Sequence, residues 1–308
     1  IAPYLIMFSI FLLIMTKLYY LGKGYSWYNP ARWLYLGPFS VQTSDIARFS
    51  VIVYMAFYAD KKREKLRDFQ LGLLPALGIL AIIMALIIIQ PDYSTALMIG
   101  SIGVLILFIG GASISQLSAA GAGAMLVGIP VLLSREYRRQ RVLSWFGVGD
   151  NTEIGYQANQ SLISLGNGGI FGVGLGNSIE KNHFLPTPHT DFIFAIIGEE
   201  LGFIIGTVPV LTLFLLIFIR GLKIAKECTD PFGIFLSIGI AFNLVLYAFV
   251  NAAVVTGVFP VTGLPMPMVS YGGSGMVVNM AMMGILLNIS QSRKSVGGKK
   301  GWSPVLYG

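Results

Sequence analysis

The chain has 308 residues, of which 55% are hydrophobic and 11% are charged. Soluble proteins carry about 25% charged residues, so this composition excludes an ordinary soluble domain and predicts an integral membrane protein. The net charge of +7 does not indicate nucleic-acid binding, because most basic residues flank apolar segments. The single cysteine, Cys228, excludes a disulfide framework, and the two histidines occur without the HExxH or paired-cysteine patterns of zinc sites.

Apolar segments long enough to cross a bilayer as helices recur along the chain. They predict an all-α polytopic integral membrane protein with about eight transmembrane helices. The first five helices fall in residues 1–134, a large extracytoplasmic loop occupies 135–190, the last three helices occupy 191–290, and a cytoplasmic tail follows at 291–308. The predicted spans are 3–21, 41–59, 70–90, 93–111, 115–134, 191–219, 232–256 and 271–290.

The basic residues predict how these helices are oriented. Lysines and arginines crowd the loop at 60–68, the loop after Ile219 and the tail. Cytoplasmic loops carry such an excess, so these three segments are expected in the cytoplasm and the 135–190 loop is expected outside.

The stretch FLPTPHTDFIFAIIGEELG, residues 184–202, carries acids into an apolar run. Asp191 is expected near the start of a helix, at the head of a stripe of small residues. An ionisable group in a membrane segment is costly, which makes Asp191 a functional candidate. The alternative, weighed about equally, is that Asp191 only caps the helix. For Glu199 and Glu200 we favour a buried pairing role that holds helices together.

Three other charged positions favour structural interpretations. Asp92 follows Pro91, which breaks a helix, and is expected to cap the next one. Asp45 and Arg48 are three residues apart and predict an intrahelical ion pair. Arg32 lies beside Trp33 in a loop rich in the aromatic residues of a membrane interface.

The loop at 135–190 is too long for a plain connection. Its segment REYRRQRV holds four arginines within seven positions, a pattern that suits phosphate oxygens, although the arginines could instead reach lipid headgroups. Its glycine run GNGGIFGVGLGNS matches neither GxGxxG nor the Walker pattern, and tight turns on the membrane surface are expected there.

The segment FPVTGLPMPMVSYGGSG, residues 259–275, contains three prolines and four glycines, which forbid a continuous helix. Irregular backbone at membrane depth is tolerated where it lines a protein cavity. We therefore expect this segment and the Asp191 region to face a common outward cavity, the alternative being an ordinary surface loop.

Several motifs in the same order resemble the SEDS family (shape, elongation, division and sporulation), which comprises the RodA, FtsW and SpoVE-like peptidoglycan polymerases. They are ARWLYLG at 31–37, QPDYSTA at 90–96, YRRQRV at 137–142, GYQANQSLISLGNGGIFGVGLGNSIEK at 155–181, LPTPHTDFIFAIIGEELG at 185–202 and GLPMPMVSYGGSG at 263–275. GEELG and GLGNS are slightly closer to FtsW. The family has ten spans, so the resemblance implies that its first two are missing here.

This sequence departs from the family pattern at three places. Asp45 and Arg48 stand where the family has an acid and a lysine, Ser94 replaces a glycine, and Thr187 replaces an acid. The last change puts a carboxylate near the site in doubt but leaves Asp191 in place.

The resemblance implies an enzyme that polymerises lipid II into glycan strands at the outer face of the bacterial cytoplasmic membrane, for division or elongation. Asp191 matches the family's essential aspartate and is the expected base. A pyrophosphate leaves as a stabilised anion, so one base should suffice, unlike in glycosidases. The expected substrate-binding residues are Arg32, Arg138, Arg139, Arg141, Lys181, His189, Ser270 and Tyr271.

The resemblance also implies partners: a class B penicillin-binding protein that crosslinks the strands, and membrane proteins of the divisome or elongasome. A divalent cation, Mg²⁺ or Mn²⁺, is a further possibility for the pyrophosphate. A lipid II transporter and a non-catalytic scaffold are the alternatives. The sequence shows no convincing internal repeat and its candidate residues gather at the outer end, which favours the enzyme.

Overall fold

A computed structural model of the chain describes residues 1–25, 31–37, 39–134, 136–146, 153–181, 185–186 and 189–291. Within these ranges the chain is mostly helical, with one short β-hairpin. The prediction of an all-α polytopic membrane protein is confirmed. The tail at 292–308 lies outside the described residues.

The regular elements are α1 (Ala2–Gly22), β1 (Trp33–Leu36), β2 (Phe39–Gln42), α2 (Thr43–Lys61), α3 (Leu74–Ile89), α4 (Tyr93–Ile109), α5 (Ile114–Leu133), α6 (Glu136–Trp145), α7 (Glu153–Gly168), α8 (Ile193–Gly202), α9 (Val208–Glu227), α10 (Pro231–Val255) and α11 (Gly273–Gln291). A 3₁₀ turn occupies Arg63–Lys65, and π-helical turns at Phe69–Leu73 and Phe203–Thr207 lead into α3 and α9. The two strands pair antiparallel, with Trp33 opposite Gln42.

Six helical stretches of the described chain are long and apolar enough to cross a membrane: Ala2–Gly22, Phe69–Ile89, Ile114–Leu133, Ile193–Glu227, Pro231–Val255 and Gly273–Gln291. The remaining two predicted spans, 41–59 and 93–111, correspond to α2 and α4. Helix α4 is apolar but has only 17 residues, and α2 carries Asp45 and Arg48 in its first two turns.

Helix α10 forms the centre of the bundle and contacts α2, α4, α9 and α11. Its side chains are buried on most faces, and Leu244 packs in one apolar core with Ile52 of α2 and Ile106 of α4. Helix α5, in contrast, packs against α4 and α6 and buries a single residue, Leu117. Polar side chains on α10, among them Asn243 and Asn251, therefore lie inside the protein, away from solvent.

The predicted helix at 191–219 lies in the helical stretch Ile193–Glu227 and is interrupted there. Helix α8 ends at Gly202, whose φ of +76° belongs to the left-handed region that favours glycine, and α9 begins at Val208. At the other end, α8 begins only at Ile193, and its N-cap is Phe192 without a side-chain bond. The expectation that Asp191 caps this helix is therefore wrong, because Asp191 lies in the turn before it.

Two glycines of the 166–178 run also allow two backbones to touch. A Cβ atom on Gly168 would lie 2.1 Å from the carbonyl oxygen of Gly198, and one on Gly172 would lie 2.3 Å from that of Glu200. The amide of Val173 donates to the Glu199 carbonyl at 3.0 Å. Helix α7 and its following loop thus pack directly on α8 at these two glycines. Gly169, Gly174 and Gly176 are exposed and have positive φ, so the expectation of tight glycine turns is confirmed for them.

This close packing predicts that Gly168→Ala destabilises the protein. Its methyl group would collide with the α8 backbone, and we expect a loss of about 1–3 kcal/mol in the free energy of unfolding. Thermal unfolding in detergent measures this loss as a lower midpoint temperature. Gly166→Ala is the matched control, because nothing lies within 4 Å of a Cβ atom there; equal midpoints for the two variants would contradict the packing.

Candidate functional site

A polar cavity of about 270 Å³ opens at one end of the bundle. The β-hairpin, the start of α2, the α3–α4 junction, the turn before α8 and the irregular segment before α11 meet there. Its polar and charged lining residues are Arg32, Gln42, Asp45, Arg48, Asp92, Thr95, Thr190, Asp191, Tyr247, Ser270, Tyr271 and Asn279. The predicted common cavity of the Asp191 region and the 259–275 segment is therefore present.

Asp191 is half-buried in this cavity. A Cβ atom on Gly263, whose φ is +70°, would lie 3.5 Å from Asp191 Oδ2 and 3.9 Å from an Arg141 guanidinium nitrogen. Glycine thus leaves space where the carboxylate and the guanidinium face the loop. Burial raises the pKa of Asp191, and the positive charges of Arg141 and Arg32 oppose that rise.

The turn that carries Asp191 is bonded to the 263–271 segment. Ser270 donates its hydroxyl to the Thr190 carbonyl at 2.6 Å, and the Tyr271 amide donates to the His189 carbonyl at 2.9 Å. Asn251 of α10 donates to the Asp191 carbonyl at 2.8 Å. The side chains of His189 and Tyr271 are exposed, whereas the Ser270 hydroxyl is engaged with backbone.

Asp45 and Arg48 form the predicted ion pair, at 3.2 Å, but they also join three helices. Arg48 donates to Asn279 Oδ1 of α11 at 3.1 Å, and its guanidinium lies 4.5 Å from the ring centroid of Tyr247 in α10. Ser274 donates to the second Asp45 oxygen at 3.2 Å. A spacing of three residues predicts the pair, but nothing local in the sequence points to Tyr247 or Asn279.

Asp92 is the N-cap of α4 and accepts from the Thr95 amide at 3.4 Å, which confirms the predicted capping role. Its other oxygen lies 3.9 Å from Nε of Arg32. Arg32 also donates to the Pro91 carbonyl. This places the hairpin arginine and the start of α4 on one wall of the cavity.

The arginines of the 135–190 loop separate, because helix α6 points them in different directions. Arg141 faces Asp191. Arg138 lies 3.8 Å from the ring centroid of Tyr93 and donates to the Val131 carbonyl. Arg139 forms an exposed pair with Glu136 at 2.6 Å. The four arginines are close in sequence, but the helical turn of α6 directs their side chains to different sides. Of the described arginines in this motif, Arg141 is the one that faces Asp191. Arg135 lies outside the described residues.

Lys181, Glu199 and Glu200 do not line the cavity. Glu199 is completely buried and accepts from Ser164, from Ser178 and from the Ile179 amide. Lys181 pairs with Glu200 at 2.6 Å. These contacts attach the loop after α7 to α8, while Thr187 lies outside the described residues.

Within the described ranges, no group of three or more His, Cys, Asp or Glu side chains is arranged to hold a metal ion. A second cavity of about 500 Å³ lies between α7, α8, α9 and α10. It is larger than the polar cavity, but it is lined by apolar residues, glycines and threonines and contains no ionisable group. Of these two cavities, the smaller one is lined by ionisable side chains.

A polytopic helical bundle with Asp45, Asp92 and Asp191 lining a polar cavity at the helix ends defines a class of membrane protein with a candidate acid–base site. A family model described as "Cell cycle protein", covering FtsW, RodA and SpoVE, matches residues 1–295. The chain belongs to this family.

Three similar proteins illustrate the match. The "Probable peptidoglycan glycosyltransferase FtsW" of Geobacter metallireducens is 39% identical over 288 residues, which are 92% of this chain and 76% of that protein. The "Stage V sporulation protein E" of Bacillus subtilis is 36% identical over 93% of this chain and 78% of its own length. A solved structure described as "Structural coordination of polymerization and crosslinking by a peptidoglycan synthase complex" has a TM-score of 0.75 and 26% identity, covering 95% of this chain and 81% of that one.

Two ion pairs with the same three-residue spacing predict losses of stability of very different size. Arg48 is 3% exposed, so Arg48→Leu leaves Asp45 and Asn279 without their partner and should cost about 3–5 kcal/mol of unfolding free energy. Arg139 is 54% exposed, and Arg139→Leu should cost less than about 1 kcal/mol. Thermal and denaturant unfolding in detergent measure both, and comparable losses would disprove the structural role assigned to Arg48.

Proposed function

We propose that this chain is a peptidoglycan glycosyltransferase that polymerises lipid II, with Asp191 as the general base. The observation that carries the proposal is a single half-buried carboxylate, with no hydrogen-bond donor among the described residues, placed in a polar cavity near two arginines. Family membership and the names of the similar proteins support the reaction class.

In the proposed step, an acceptor sugar hydroxyl attacks the anomeric carbon of the lipid-linked glycan with inversion. The new carbon–oxygen bond forms as the bond to the pyrophosphate breaks, and the electron pair leaves with undecaprenyl pyrophosphate. The hydroxyl proton passes to Asp191. Burial strengthens Asp191 as a base because it raises the pKa of the carboxyl, while Arg141 and Arg32 favour its ionised form.

The same two arginines are the best-placed groups for the leaving pyrophosphate. Guanidinium groups donate in pairs to phosphate oxygens and stabilise negative charge as it develops. Arg32 lines the cavity, and the positive charges that act on Asp191 are those of Arg141 and Arg32. Arg138, Arg139 and Lys181 do not line the cavity. We therefore assign the pyrophosphate to Arg141 and Arg32, with the exposed His189 and Tyr271 at the rim of the cavity as contacts for the sugar or peptide.

The cavity residues do not fit a metal ion held by protein ligands alone. The Asp45 carboxylate is occupied by Arg48 and Ser274, and Asp92 caps α4. Mg²⁺ typically binds through substrate phosphates, one or two carboxylates and water. Any divalent cation would therefore come with the substrate pyrophosphate, and its requirement is a separate proposal.

Lipid II has a polyprenyl tail that stays in the bilayer, which agrees with an active site at the ends of membrane helices. We propose that this end faces outward from the bacterial cytoplasmic membrane, as the distribution of basic loops predicts. We also propose a class B penicillin-binding protein as the crosslinking partner, in division or elongation. The similar synthase complex, whose description combines polymerization with crosslinking, supports this pairing.

The first test is glycan polymerisation from purified lipid II by the protein and its Asp191→Asn variant, each with the partner transpeptidase. Asparagine keeps the size of the side chain but cannot accept the proton, so we expect polymer formation to fall at least about 100-fold. Gel analysis of labelled glycan measures chain formation, and thermal unfolding verifies that the variant is folded. A fully active variant would disprove the base assignment, and two inactive proteins beside an active control polymerase would favour transport or scaffolding.

The pH dependence follows from the raised pKa of Asp191. The carboxylate must be ionised to act as a base, so activity should fall as the pH falls through this pKa, at a higher pH than for an ordinary aspartate. Arg141→Gln removes a charge that lowers the pKa, so the acidic limb should move to still higher pH. Initial rates across the pH range measure this, with Arg139→Gln as the control whose limb stays in place; a limb unaffected by Arg141→Gln would contradict the proposed pairing.

A further inference from the structure

The turn that carries Asp191 is bonded to other parts of the chain. It lies before the first residue of α8, and the Asp191 side chain does not cap that helix. Three consecutive carbonyls, those of His189, Thr190 and Asp191, accept hydrogen bonds from Tyr271, Ser270 and Asn251.

Asn251 has the central position among these donors. It lies one turn before the end of α10 and is 1% exposed. Its side-chain amide carries two hydrogens, and both are used: one goes to the Asp191 carbonyl and the other to the Leu264 carbonyl, each at 2.8 Å. A single buried amide thus bonds the acid's own peptide group and the segment on the opposite wall.

Ser270 also bonds both the Asp191 turn and the 264–270 segment through one side chain. Its hydroxyl accepts from the Met266 amide at 2.8 Å and donates to the Thr190 carbonyl at 2.6 Å. Both hydrogen-bonding directions of the hydroxyl are therefore occupied by backbone. Asn251 and Ser270 together join the Asp191 turn to the 264–270 segment, at the adjacent carbonyls of Asp191 and Thr190. Asn251 does so from α10, a helix that is buried on most faces.

We infer that Asn251 is a positioning residue for the glycosyl transfer, which sets the place of the Asp191 carboxylate by holding the Asp191 peptide to α10, with Ser270 as a second, weaker support. The inference rests on the proposed function of Asp191 as base. An apolar residue at position 251 would leave the Asp191 and Leu264 carbonyls without a donor, and an aspartate there would place an acceptor against two acceptors.

The matched control lies on the same helix. Asn243 is also completely buried in α10, but its amide donates to the sulfur of Met282, at 3.7 Å, and it does not line the cavity. Asn251→Leu and Asn243→Leu therefore make the same chemical change at two buried positions, and only one of them touches the Asp191 turn. Ser270→Ala is the milder second variant.

The experiment measures kcat and KM for lipid II polymerisation, with the partner transpeptidase, for these three variants and for Asp191→Asn. Misplaced catalytic groups cost rate more than binding, so we expect Asn251→Leu to lower kcat about 10- to 100-fold, Ser270→Ala less, and Asn243→Leu within about threefold of wild type. KM should change little. Hydrogen exchange provides a readout independent of activity: the Tyr271 and Met266 amides should exchange faster in Asn251→Leu and unchanged in Asn243→Leu.

Each outcome decides one assignment. If Asp191→Asn is inactive and folded Asn251→Leu keeps the wild-type kcat, the positioning inference is wrong while the base assignment stands, whatever the exchange data. Equal losses in Asn251→Leu and Asn243→Leu would also overturn it, since that pattern reflects general packing. If Asn251→Leu does not fold, Ser270→Ala decides by the same two readouts, and an active Asp191→Asn would instead overturn the proposed function itself.

Discussion

The site depends on one buried helix, α10, whose Asn251 and Tyr247 side chains contact the elements around the cavity. In a membrane, a buried polar group has no water to replace a missing bond, so such contacts strongly constrain the structure. Asn251 of α10 binds the backbone on both sides of the cavity, and one turn earlier Tyr247 lies against the Arg48 guanidinium. Because α10 packs against α2, α4, α9 and α11, these contacts fix the cavity relative to the whole bundle.

The acidic residues in and around the site differ in whether their carboxylates accept hydrogen bonds from the protein. Asp45 is engaged by Arg48 and Ser274, and Asp92 holds the first turn of α4. Glu199 has three donors around it and anchors a loop. The carboxylate of Asp191 receives no hydrogen bond from the described residues, although the backbone around it is held firmly. A fixed backbone positions the carboxylate, and a carboxylate with no donor among the described residues is open to a substrate hydroxyl. This arrangement suits a general base.

Close backbone contact between α7 and α8 holds α8, the helix that follows Asp191, in place. Gly168 and Gly172 allow the chain after α7 to lie directly on the end of α8, and Gly202 lets that end turn with a positive φ. Helix α8 is short, so its two ends are fixed by different means: glycine packing at one and the bonds to Asn251 and Ser270 at the other.

The sequence by itself determined the membrane class, the helical segments and the family, and it singled out Asp191 as the candidate base. It could do so because apolar length and motif order are local properties of the chain. The Asp45–Arg48 pair and the Asp92 cap also follow from spacing and neighbouring residues. Only the tertiary structure decided that Arg141, rather than Arg139 or Lys181, faces Asp191, since α6 turns adjacent arginines to different sides. It also identified Asn251, an ordinary residue in an apolar run, because its partners lie 60 and 13 residues away along the chain and meet it only when α10 is buried.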